Sequence, residues 1–506
     1  MSSEGILRTF RNGEAIPVRD VPEIALHAFL QGAVDLTGQG WRIASYFGVP
    51  DREGVALWCI LAGSQGRLGA LRSWVERQLP SITSSCPEAH LFEREIAEQC
   101  GLTLEEHPWF KPVRYQRPLR RAHEERGSGA GVQPLPAVGD FYRVEGAEVH
   151  EVAVGPVHAG VIEPGHFRFQ CHGEVVFHLE IALGYQHRGL EHALAGGPHP
   201  ATVVQLETVA GDTTIGHATA HAMIMEGLAG TEPPPRGEAL RAIALELERL
   251  ANHCGDLGAL AGDVGYLPTM SFCGRIRGDF LNMTAVLCGS RFGRGLLRPG
   301  GTYFDCSAGQ TADLLKRLEE ARRDYSGAVE LLWGSPSVMT RFDGAGQVRP
   351  EDALALGLVG PAARACGIER DVRRDHPFGF YRISRPPLRT QPGGDVMARA
   401  KLRWQESQAS LEFIHDRLNS LPEGPVMSAC GAAAGERLAV ALVEGWRGEL
   451  CHVAITDAAG RFLRYKVKDP SFHNWSGLAM ALRNEQISDF PLCNKSFNLS
   501  YCGFDL

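Results

Sequence analysis

The chain has 506 residues with 44% hydrophobic and 22% charged residues and a formal net charge of -8. At roughly 100–200 residues per domain this length calls for two to four structural units, and the acidic balance offers no basic face to nucleic acid. No stretch approaches the ~18 apolar residues of a spanning helix, and MSSEGILRTFRNGEAIP lacks a basic segment followed by an apolar core, so the expected location is cytoplasmic.

Residues 20–115 read as an α+β unit. IPVRDVPEIALHAFLQGAVD has helical period, WRIASYFGV and GVALWCILAG are strand candidates, and GRLGALRSWVERQLP returns to helical period. Residues 118–138 are rich in Arg, Gly and Pro and read as a linker, which separates units at 1–117 and 139–506. From Asp140 to Tyr185 apolar and polar residues alternate around Gly and Pro, predicting a short antiparallel sheet. Between about Pro200 and Arg298 the chain becomes Ala/Leu-rich with helical period, as in a bundle interior. TADLLKRLEEARRDYSGAVELLWG and VMARAKLRWQESQASLEFIHDRLNSL add two longer helices, and the tail reads as a hairpin turning at Asp457–Gly460 before a helix around WSGLAMALRNE. The predicted class is α+β: a small α+β unit, then a mainly helical domain with a small antiparallel sheet. The thirteen cysteines contain no CxxC pair and are expected to be reduced, buried thiols.

Ten of the nineteen histidines fall between His150 and His221. Strand alternation sends successive side chains to opposite faces, so they cannot all converge. His217 and His221, at i and i+4 in GHATAH, share one helix face; without an intervening Glu they are no HExxH site, and a packed helical pair is favoured. Glu163, in the apolar stretch VIEPGHFRF, becomes a usable proton donor if buried. The ELER run from Glu246 to Arg249 reads as a solvent-facing ion pair. No GxxxxGK[ST], and no GxGxxG between strand and helix, supports a nucleotide site.

The segment Cys86–Arg114, with Glu93, Arg94, Glu95, Gly101, His107 and Pro108 in place and Glu106 before the histidine, resembles the C subunit of respiratory complex I. GPVHAGVIEPGHFRF, GYQHRGLEHALAG, LELERLANH, DVGYLPTM, SRFGRGLLRPGG, GIERDVRRDHPFGFY, GGDVMARAKLRWQES, LPEGPV, EGWRGEL and KVKDPSFHN, in that order, resemble the complex I D subunit and the large subunit of energy-converting nickel-iron hydrogenases of the formate-hydrogenlyase type. The resemblance implies a large subunit packed on a small iron-sulfur subunit, similar to the complex I B subunit and carrying a 4Fe-4S cluster, with both docked on antiporter-like membrane subunits at the cytoplasmic side of the cell membrane.

In the hydrogenases of this family four thiolates from two CxxC pairs hold nickel and iron. Counting along the motifs puts those positions at Ala210 and Thr213 and at Ser500 and Gly503, with Cys502 one residue off register. No metal or cofactor is therefore expected on this chain. In complex I, quinone is held by a His and a Tyr; the first corresponds to His158, Ile162 stands at the turn's second His, and Gln205 falls on the Tyr, so quinone is weakened as a ligand but retained. Glu163 falls on the family's proton-path glutamate, with His166, His217 and Arg188 as its expected partners. The implied role is the core peripheral subunit of a membrane-bound, ion-translocating oxidoreductase without a nickel-iron site. It would couple electron arrival at the partner cluster to proton movement. The alternatives are a quinone-reducing subunit and a non-catalytic structural adaptor.

Overall fold

The computed structural model describes residues 6–51, 53–116, 119, 140–157 and 162–506. The linker read over 118–138 (Leu119 excepted), the boundary at Gly139, and His158 lie outside the described residues.

Along residues 8–75, β1 (Arg8–Arg11) is followed by β2 (Ala15–Pro17), α1 (Leu26–Gly38), β3 (Arg42–Pro50), β4 (Val55–Ala62) and β5 (Arg67–Val75). A sheet of order β1-β5-β4-β3 results, and α1 lays Phe29, Leu30, Ala33 and Leu36 into its core. The expected helix at GRLGALRSWVERQLP is thus a strand, β5. Leu68, Leu71 and Val75 mimic helical spacing, but β5 is paired on both edges and buried on both faces, so tertiary pairing overrides the local period. Helix α2 (His90–Cys100) carries the Glu-Arg-Glu motif and packs on β3.

The predicted meander forms from β6 (Val149–Val154), β7 (His166–His172) and β8 (Val175–Ala182), in the order β8-β7-β6. After α3 (Leu190–Leu194) and α4 (Thr202–Leu206) come α5 (Thr214–Ala229), α6 (Pro235–Asp263), α7 (Leu267–Cys288), α8 (Ala308–Trp333) and α9 (Val396–Asn419). These match the expected bundle: α6 packs along α7 and α9, and α8 packs against α7. Helix α5 is buried on nearly every face because it is sandwiched between α6 and a second sheet.

That sheet contains β9 (Arg437–Gly445), β10 (Gly448–Thr456) and β11 (Phe462–Lys468), and its order β11-β10-β9-β2 draws in the N-terminal strand. The β10–β11 hairpin is the one expected in the tail, whereas β9 and its pairing with β2 are additions that the structure makes. Helices α10 (Ser471–Ala481), α11 (Phe490–Phe497) and α12 (Tyr501–Asp505) follow. Mixed α+β architecture is what the sequence predicts.

Candidate functional site

Three separated segments meet at α12. Glu163 is half-buried; its Oε2 accepts the Tyr501 amide at 3.3 Å, and its carboxylate accepts a hydrogen bond from Cys502. The Arg188 guanidinium donates to the carbonyls of Thr208 (2.8 Å), Val209 (2.9 Å) and Cys502 (3.1 Å), so it ties the 208–213 loop to α12. Asp505 caps this junction by accepting the amides of Gly184 (2.7 Å) and Gln186 (2.8 Å). Burial raises the Asp505 carboxyl to about 6 despite those amides, and burial together with Glu163 raises the Cys502 thiol to about 11. Cys502 therefore stays a neutral donor at physiological pH.

The floor of this junction holds the four positions singled out from the motifs. Ala210 contributes a buried methyl group. The Thr213 hydroxyl lies 3.1 Å from Asp212 and 3.3 Å from Arg447. Ser500 Oγ accepts the Gly503 amide at 2.9 Å as the N-cap of α12. A Cβ at Gly503 would stand 2.8 Å from both Cγ and Oδ2 of Asp469, so the glycine makes room for that carboxylate.

From Asp469 a line of buried polar groups runs into the core. Asp469 Oδ2 lies 3.4 Å from His217 Nε2, His217 Nδ1 3.0 Å from His452 Nε2, His452 Nδ1 3.0 Å from the Tyr465 hydroxyl, and that hydroxyl 3.1 Å from His221 Nδ1. Every member is at most 2% exposed. The elements explain the alignment. His217 and His221 share the α5 face turned to the sheet, while His452 on β10 and Tyr465 on β11 rise from neighbouring strands. Burial pushes Asp469 up, but the bond from His217, its charge and Arg447 outweigh burial and hold the carboxyl below its ordinary range. Burial, then His217 and His221, push His452 well down, and burial takes His221 to about 4. His452, held neutral and bonded through both ring nitrogens, can accept a proton on one side and release it on the other.

The structure places the expected residues as follows. Glu163 and Arg188 meet at Cys502. His217 lies below, bonded to Asp469 and His452 and not to Glu163. His166 turns into the β6–β7 sheet, where Nδ1 meets Gly155 O at 3.2 Å and Nε2 accepts from Arg168 at 3.3 Å, so it is no partner of Glu163 among the described residues. Gln205, on α4, is half-buried, and its enclosed Oε1 has no partner among the described residues. The ELER pair departs from expectation: Glu246 and Arg249 are both fully buried at 3.1 Å, within a network that includes Arg373, Tyr381 and Ser410. Asp469, His452 and Tyr465 escape sequence reasoning; the signal available is polar residues at inward positions of the tail hairpin.

Glu248, beside this network, accepts the Ile215 amide at 2.7 Å and the Gly216 amide at 3.1 Å at the start of α5. Burial nonetheless raises it to about 8. Its folded-state pKa exceeds its unfolded one, so its stabilising effect is full below the ordinary carboxylate range and is lost as pH rises to about 8. Thermal melts should show the native chain losing more stability between pH 5 and about 8.5 than Glu248→Gln, by an amount of the order of a few kcal/mol; parallel pH profiles would contradict this.

Among the described residues no helix is long and apolar enough to cross a membrane, and no cluster of three or more His, Cys, Asp or Glu side chains is arranged to hold a metal ion. Residues 263–435 match the family described as the respiratory-chain NADH dehydrogenase 49 Kd subunit. The chain is 30% identical to formate hydrogenlyase subunit 5 of Escherichia coli, over 84% of this chain and 76% of that protein. It is 30% identical to the carbon monoxide-induced hydrogenase of Rhodospirillum rubrum, over 69% of this chain and 97% of that protein. It is also 28% identical to NADH-quinone oxidoreductase subunit 4 of Thermus thermophilus, over 70% of this chain and 94% of that protein.

Proposed function

Because the chain belongs to the family that joins formate hydrogenlyase subunit 5 with NADH-quinone oxidoreductase subunit 4, we propose that it is the core peripheral subunit of a membrane-associated oxidoreductase complex in which protons, and not a nickel-iron centre, are handled at the α12 junction. The electron would arrive at a 4Fe-4S cluster of a small partner subunit, and antiporter-like membrane subunits would move the ion.

The observation that carries this reading is the chemistry of the floor. A methyl, two hydroxyls and a glycine hydrogen stand where four thiolates would be needed, and a carboxylate occupies the space of the fourth side chain. Soft thiolate ligation of nickel and iron does not fit this donor set. A lone thiol raised to about 11 is no substitute. The same carboxylate opens the Asp469–His217–His452–Tyr465–His221 line. At the rim, Glu163 can take a proton from the site while Cys502 and the Tyr501 amide hold the carboxylate in place.

Gln205 gives the quinone alternative its support: its enclosed, unpartnered Oε1 is an acceptor that the hydroxyl of a quinol product could engage. The adaptor alternative has no comparable observation. The test of the principal reading is Glu163→Gln in the complex assembled with its native partners. Proton uptake by inverted membrane vesicles, with reduced methyl viologen as electron donor and a small quinone as electron acceptor, should fall about tenfold or more. Uptake at the native rate would remove Glu163 from the path.

A further inference from the structure

A basin of about 460 Å³ opens at the seam between the β4–β5 turn of the first unit and the segment Glu369–Pro377. Four arginines line it, Arg11, Arg42, Arg370 and Arg374, against two carboxylates, Glu369 and Asp375. Two of the cations are already satisfied. Arg42 pairs with Glu449, and Arg374 reaches Asp375 at 2.9 Å and Glu369 at 3.3 Å. The other two are not: neither Arg11 nor Arg370 has an ion-pair partner among the described residues, and Nη1 of Arg370 is enclosed without a hydrogen-bond acceptor. His376, 2% exposed, bonds the Gly66 backbone through its ring, yet its Nδ1 is enclosed and unpartnered.

Buried polar groups are nearly always paired, so two such atoms on one basin mark the place of an absent partner. We propose that this basin binds a phosphate monoester, with the phosphoryl oxygens on Arg370 and Arg11 and a P–OH donating to His376 Nδ1. Guanidinium forks suit phosphoryl oxygens. A carboxylate would leave Nδ1 bare, since burial and then Arg42 lower the His376 imidazole to about 4 and keep it an acceptor at neutral pH. The volume exceeds that of a bare phosphate and leaves room for the ester group. A ligand here would bridge the two units, so it would couple the presence of a phosphorylated compound to how firmly the first unit is held. The ester could be a free metabolite or a lipid headgroup.

The experiment is calorimetric titration of the full chain with inorganic phosphate, glycerol 3-phosphate and sulfate, alongside sedimentation with vesicles containing phosphatidic acid. Inorganic phosphate and glycerol 3-phosphate should bind. Sulfate, which lacks the proton that His376 Nδ1 needs, should be at least about fivefold weaker. Arg370→Ala should weaken binding about tenfold, Arg370→Lys less, and the exposed Arg11→Ala a few-fold without touching the fold. Vesicle binding in addition to glycerol 3-phosphate binding would identify a lipid headgroup as the source; glycerol 3-phosphate alone would identify a free ester. No binding of either phosphate at millimolar concentration, sulfate equal to phosphate, or full affinity in a folded Arg370→Ala would overturn the proposal.

Discussion

Replacing Asp469 with asparagine is expected to lower proton uptake by the assembled complex about 100-fold while leaving the chain folded. Asparagine keeps the size of the side chain against Gly503 and can still accept the Ser471 amide, which Oδ1 now receives at 2.8 Å. What it loses is the charge and the capacity to take up a proton at the head of the buried line. Because Asp469 is held below the ordinary carboxylate range, it is ionised at neutral pH and ready to accept. The measurement is vesicle proton uptake with reduced methyl viologen as electron donor and a small quinone as electron acceptor, set beside a thermal melt of the purified chain. Native uptake in a stable Asp469→Asn would mean that the line is scaffold only. A fall in uptake that is matched by loss of the folded state would assign the residue to stability.

The second large effect is on stability. Arg364 is fully buried and holds Glu406 at 2.8 Å, Glu444 at 2.7 Å and the Arg370 carbonyl at 2.9 Å. Burial opposes its charge, but Glu406, Glu444 and Asp371 more than offset that and raise its pKa. Arg364→Met would leave two enclosed carboxylates without this cation. Breaking a buried pair from one side costs about 3–5 kcal/mol, and for a chain of this size the melting temperature should drop by about 3–5 °C. Glu406 retains His253 at 3.0 Å, whereas Glu444, already raised by burial, is the group left most exposed to the loss. The deficit should shrink toward acid pH as that carboxyl protonates. A melting temperature within a degree of the native one would show that the network contributes specificity and not stability.

Much of the scaffold is legible from the sequence, because the bundle helices keep helical spacing over long stretches and the strands β3, β4, β10 and β11 stand out as short runs bounded by turns. Arg67–Val75 fails for a definable reason: Leu68, Leu71 and Val75 fit either period, and only the partners on both edges decide. The β2–β9 pairing joins residues more than 400 positions apart, which no local pattern encodes. In the site, Glu163, Arg188 and Cys502 can be named by motif, but their convergence on α12 depends on the tertiary path of the 184–188 and 208–213 loops. His452 stays hidden because a polar residue in a hairpin strand ordinarily faces water, and Asp469 because it lies just past the end of that hairpin. Here Lys466 and Lys468, on the same strand as Tyr465, are buried too, each held by a carboxylate: Glu95 at 2.7 Å for the first and Glu449 at 2.9 Å for the second. The ELER pair misleads for the same reason, since local spacing reports a pair and says nothing of what covers it.

The most direct test of the central claim is nickel and iron analysis of the complex purified with its native partners. A floor made of Ala210, Thr213, Ser500 and Gly503 predicts nickel far below one atom per chain, with iron at the level of the partner's clusters. Nickel near one atom per chain would show that the site holds the metal after all and would contradict the account.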